Sequence, residues 1–299
     1  MENPTESVAS PRPLDDVLAL DELEAAVAQS RAGYAAATPF PHVVLDDVLR
    51  PEVFEQACAE FARVEDGWAN YLHLNERKYA NTNPATWEPT LRAIAEAFAS
   101  QRFLDLLRAL TGIEDLRADP ELDGGGLHRS LPGGFLNVHA DFTAHHTHER
   151  WHRRVNLILY LNPEWPSDWG GDLELWSADM KQCEAKVTPK GNRMLLFTTS
   201  STSLHGHPEP LLCPEGSARQ SMAIYYFTEE ESPPVRSTAY RARPGDGMKA
   251  VGFYLDEQAL KLYDVLKRRL RISDRTASNM LAGLSRLSRL RRPRPGRDR

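Results

Sequence analysis

No stretch of this 299-residue chain approaches the ~18 uncharged apolar residues that a membrane-spanning helix needs. Cysteine is also scarce. Cys58, Cys183 and Cys213 stand far apart in sequence, which excludes a disulfide scaffold or a close-spaced thiolate zinc site and predicts a reducing compartment. Residues 1–13 are polar and hold prolines, without the basic-then-apolar order of a secretory signal, so cytoplasm is the expected location. No internal repeat divides the chain. What is present, 41% hydrophobic and 26% charged residues, suits a soluble globular protein and excludes collagen-like and fully disordered classes.

The net charge of -6 is unevenly spread. Residues 267–299 carry 12 Lys/Arg and 2 Asp/Glu, leaving a net of -16 on the rest. This basic tail has no assigned role. It lacks the aromatic platforms of single-strand binders, so nucleic acid is not an expected partner.

Residues 1–15 read as a disordered leader. Helical spacing follows over 16–35, 51–64 and 87–110, with a short Val-rich strand at 40–49. After residue 120, glycine pairs punctuate short alternating segments near 134–139, 153–161, 171–176, 184–188, 193–199, 203–207 and 219–228. Residues 255–271 and 276–290 return to helical spacing. The expected fold is α+β with a mainly β core. A helical layer (16–120) precedes a double-stranded β-helix or jelly roll (121–230) in one domain over 16–254, and 255–299 form a helical basic extension.

Eight of the ten histidines lie between His128 and His207. Among them is His139-Ala140-Asp141. On a strand, residues i and i+2 share a face, so the imidazole and carboxylate point together. A third ligand from a neighbouring strand would complete a two-histidine, one-carboxylate face of the kind that holds Fe(II) with positions open. His205, in Leu204-His205-Gly206-His207, is the choice. Arg219 starts an aromatic strand, RQSMAIYYF, sharing a face with Ser221. A buried guanidinium requires an anion, either an acidic side chain or a dicarboxylate cosubstrate that its fork would grip.

A rival lies in His148-Glu149-Arg150-Trp151-His152, an H-E-x-x-H sequence that on a helix would bind zinc as a metallopeptidase. Its polar surroundings, and a strand expected to begin near Arg153, weigh against that helix. A second stretch, 68–89, is polar and aromatic and reads as a substrate loop or lid containing Arg77. His128 and Arg129, just before the metal strand, are further candidate substrate contacts.

The segments PFPHVVLDDVL, FLNVHADF, RRVNLILYLNPEW, GGDLELW, GNRMLLF, LHGHPEPL and RQSMAIYYF together resemble the Fe(II)- and 2-oxoglutarate-dependent dioxygenases, in their prolyl-hydroxylase-like branch. The resemblance runs from about residue 40 to 230. It implies that His139, Asp141 and His205 bind Fe(II), and that Arg219 holds the distal carboxylate of 2-oxoglutarate with Tyr160, joined by Asn156 and Ser221. It implies O2 as cosubstrate and ascorbate as a reductant. The expected reaction is hydroxylation of an unactivated C–H in a peptidyl, amino-acid-like or natural-product substrate, with release of succinate and CO2. A catalytically silent jelly-roll binding protein is the non-enzyme alternative. The gap from His205 to Arg219, with three prolines, departs from the animal prolyl hydroxylases and reads as a loop.

Overall fold

A computed structural model of the chain describes residues 16–247. The leader 1–15, the helices expected at 255–271 and 276–290 and the basic extension lie outside the described residues. Among the described residues no helix is long and apolar enough to cross a membrane.

The elements in order are α1 (Leu20–Tyr34), β1 (His42–Leu45), α2 (Pro51–Arg63), β2 (Ala69–Leu72), β3 (Glu76–Asn81), α3 (Pro89–Ala99), α4 (Gln101–Thr111), β4 (Arg117–Ala118), β5 (Gly126–Ser130), β6 (Phe135–Ala140), β7 (Trp151–Tyr160), β8 (Leu173–Trp176), β9 (Cys183–Val187), β10 (Met194–Thr198), β11 (Leu204–His207), β12 (Arg219–Glu229) and β13 (Ala239–Tyr240).

Apolar spacing places the helices, and capping ends them. The single helix expected over 87–110 is two, because Ser100 takes extended backbone angles and its hydroxyl accepts the Phe103 N–H at 3.3 Å as the cap of α4. Gly112, at φ 72°, closes α4 in the left-handed region. Glu60 of α2 accepts the N–H groups of Thr90 and Leu91 at 2.8 and 3.1 Å, so a buried carboxylate caps the positive end of α3.

The strands pair antiparallel throughout in the order β1-β10-β7-β12-β5-β3-β6-β11-β8-β9, wrapped into a nearly closed jelly roll. The turn between its halves is β3, whose Tyr79, Ala80 and Asn81 pair with β5 while Glu76 and Arg77 pair with β6. Within residues 68–89, expected as a loop or lid, 69–81 form instead a β2–β3 hairpin whose Tyr71, Glu76, Lys78 and Ala80 line the cavity. Alternation divides the central strands. Val155, Leu157 and Leu159 of β7 and Met222, Ile224 and Tyr226 of β12 join the helices' apolar faces in one core. The intervening Asn156, Ile158, Ser221, Ala223 and Tyr225 line the barrel cavity.

Candidate metal and cosubstrate site

His139, near the end of β6, lies directly opposite His205 of β11, with ring centroids 4.6 Å apart. The two strands approach this closely because Gly206 intervenes. A Cβ there would stand 2.7 Å from the Leu136 carbonyl oxygen and 2.8 Å from that of Asn137. Each imidazole is oriented in the same way. Nδ1–H of His139 donates to the Asn137 carbonyl and Nδ1–H of His205 to the Ser203 carbonyl, both at 2.9 Å. That leaves each Nε2 with a free lone pair. These atoms lie 3.5 and 3.6 Å from the two carboxylate oxygens of Asp141.

Asp141 is held from behind. Arg153, 1% exposed, reaches its Oδ2 at 3.3 Å, and Asn156 donates its amide N–H to the same oxygen at 2.8 Å. Arg153 Nε in turn donates to Asn156 Oδ1 at 2.7 Å, and the guanidinium carbon lies 3.3 Å from the Tyr225 ring centroid. Burial opposes ionisation of Asp141, but Arg153 and the two histidines outweigh it and hold the carboxyl well below its usual range. Burial also pushes His205 down to about 4. Two basic Nε2 lone pairs and an ionised carboxylate, buried and convergent, fit a divalent iron that leaves other positions open.

Arg219 sits at the start of β12, 7% exposed. Its Nε donates to the Gly171 carbonyl at 2.8 Å and its Nη2 to the Tyr160 hydroxyl at 3.2 Å. Among the described residues no carboxylate forms an ion pair with it, so the acidic side chain weighed as its partner is not there. The guanidinium keeps donor capacity for an anion entering the cavity, which both Arg219 and Ser221 line. Asn156 lines it too, but both ends of its amide are engaged. It thus orients Asp141 from the cavity wall.

Of the substrate candidates, only His128 faces the cavity. Its Nε2–H donates to the Gly125 carbonyl at 3.1 Å, and burial, with Lys78, pushes its pKa down to about 3. Arg77 and Arg129 are corrections. Alternation turns Arg77 outward and exposed, while Arg129 packs over Trp68 and Tyr79, at 4.2 and 5.3 Å from the ring centroids. Their neighbours Glu76, Lys78 and Ser130 take the inward positions. Lys78 and Glu76 form an ion pair of 3.0 Å, and Glu76 also pairs with His73 at 2.7 Å. His207 lines the cavity as well.

The H-E-x-x-H alternative lacks its helix. His148 lies in a turn and His152 on β7, paired with Glu121 at 3.0 Å and Glu230 at 2.8 Å respectively. The neighbouring His145 uses Nδ1 to accept the N–H groups of Thr147 and His148, both at 3.1 Å, and so fastens that turn.

Fold and donor set together define an iron-binding jelly roll with a cationic anchor for a second, anionic ligand. Residues 125–227 match the family model of the 2OG-Fe(II) oxygenase superfamily. Prolyl 3-hydroxylase OGFOD1 of Mus musculus is 24% identical over 193 residues, covering 63% of this chain and 33% of that one. The chain thus spans about a third of the length of that relative. A Trichoplax adhaerens prolyl hydroxylase, solved with a hypoxia inducible factor oxygen degradation domain peptide, has the same fold: TM-score 0.52, 15% identity, 70% of this chain and 92% of that chain. A Pseudomonas putida prolyl-4-hydroxylase gives a TM-score of 0.47 at 20% identity, over 70% of this chain and 100% of that chain.

Proposed function

We propose that this chain is a 2-oxoglutarate-dependent dioxygenase that hydroxylates an unactivated C–H bond of a prolyl residue in a peptide. The observation that carries the reading is the pairing of a convergent His139–Asp141–His205 donor set with Arg219, a buried arginine that forms no ion pair with a carboxylate among the described residues. His139, Asp141 and His205 would hold the iron. Bound iron and 2-oxoglutarate supply the oxidation, with one oxygen atom of O2 entering the substrate C–H and the other entering succinate as CO2 leaves.

The remaining work belongs to the protein. Arg219 and Tyr160 grip the distal carboxylate and so fix the direction of the cosubstrate. Arg153 and Asn156 keep Asp141 ionised and aimed at the metal. Tyr225 and Phe142 cover the Arg153 guanidinium and exclude water from behind the site. The prolyl assignment draws on the prolyl hydroxylases among its relatives.

The test is succinate release from 2-oxoglutarate under Fe(II) and O2 across prolyl peptides, free amino acids and natural products. The reading expects stoichiometric peptide hydroxylation. Turnover confined to a non-prolyl substrate would overturn the prolyl assignment.

A further inference from the structure

His207 lies two residues beyond His205 on β11, 3% exposed, and lines the same cavity. Among the described residues neither of its ring nitrogens has a hydrogen-bond partner, and Nδ1 is sealed from solvent. Buried polar groups are nearly always paired, and an orphan costs stability. An imidazole carries at least one N–H donor in any protonation state, so a ligand with acceptor oxygens would satisfy it.

Position identifies the ligand. The β8–β11 register opposes Leu204 to Trp176, His205 to Leu175 and Gly206 to Glu174, so β11 runs from the metal donors toward Leu173. Just before Leu173 is Gly171, whose carbonyl anchors Arg219. His207 thus stands at the Arg219 end of the cavity, close enough for the guanidinium to act on it electrostatically. Two residues of strand span ~6.6 Å, and the irregularity between His205 and His207 places its extra residue in β6 rather than β11. The four carbon–carbon bonds of 2-oxoglutarate separate its carboxylates by about 5 Å. A diacid chelated beside His205 therefore brings its far carboxylate to His207.

We propose that His207 is a cosubstrate-binding residue, donating its ring N–H to the distal carboxylate of 2-oxoglutarate beside Arg219 and Tyr160. The inference rests on the Fe(II)/2-oxoglutarate reading above. It is tested by calorimetric titration of Mn(II)-loaded full-length protein with 2-oxoglutarate and with oxalate, which chelates the metal but has no distal arm. His207→Leu should weaken 2-oxoglutarate about tenfold, the effect of one charge-assisted hydrogen bond, and leave Mn(II) and oxalate affinity unchanged. His207→Gln, which keeps an N–H donor, should recover most of the loss. Unchanged 2-oxoglutarate affinity in His207→Leu, or an equal loss for oxalate, would overturn the inference. Failure of the wild-type protein to bind 2-oxoglutarate would overturn the underlying reading instead.

Discussion

Gly206→Ala tests whether the close approach of β11 to β6 builds the metal site. The added methyl carbon would sit 2.7 and 2.8 Å from two carbonyl oxygens and 2.9 Å from the Asn137 carbonyl carbon. That is about 0.5 Å inside ordinary carbon–oxygen contact. All three atoms are backbone of β6, so no side-chain rotation relieves the clash and β11 must move outward. Overpacking of this kind costs about 1–3 kcal/mol, and rigid backbone neighbours place this case at the upper end. The same displacement separates His205 from His139, so metal affinity falls together with stability. Gly33→Ala is the control. Gly33 lies in α1 with nothing within 4 Å of an added Cβ, and alanine there should stabilise by roughly 0.5–1 kcal/mol. Urea unfolding of metal-free protein and Mn(II) titration of each variant measure both effects. Full stability and full Mn(II) affinity in Gly206→Ala would refute the reasoning.

Arg153→Met leaves a buried carboxylate uncompensated and should lower the unfolding free energy of metal-free protein by about 3–5 kcal/mol in urea melts; a loss under 1 kcal/mol would contradict the pairing with Asp141. Arg219→Lys keeps the charge but loses the fork, so 2-oxoglutarate affinity by calorimetry should fall at least about tenfold while Mn(II) affinity holds. His128, with a folded pKa of about 3 against 6.5 unfolded, contributes stability that is present above pH 6.5 and lost as pH falls toward 3. Urea midpoints should therefore decline across that window, and His128→Gln should flatten the decline.

The site was legible where strand alternation and motif agreed. H-x-D on one strand and histidine on a later one predicted a meeting that the β6–β11 register supplies. The β2–β3 hairpin was not legible. Its inward face carries Glu76 and Lys78, so the polar cavity hides the apolar alternation that marks a strand elsewhere. Without that strand the parity of Arg77 and Arg129 could not be assigned. Arg153 escaped for another reason. It shares the odd parity of Val155, Leu157 and Leu159, which face the helices, yet it turns toward Asp141. An irregularity where Tyr226 pairs with Val155 and Phe227 with Arg153 inserts one extra residue in β7 and reverses its alternation there. The break at Ser100 has a readable signal, a serine at a helix start, masked by apolar spacing that runs unbroken across it.

Anaerobic addition of Fe(II) and then 2-oxoglutarate tests the central claim most directly. Chelation of the metal by the keto acid should produce a weak visible metal-to-ligand charge-transfer band that saturates at one equivalent of each and is abolished in a folded His139→Ala variant. No band in wild-type protein, or a band of equal intensity in His139→Ala, would contradict the account.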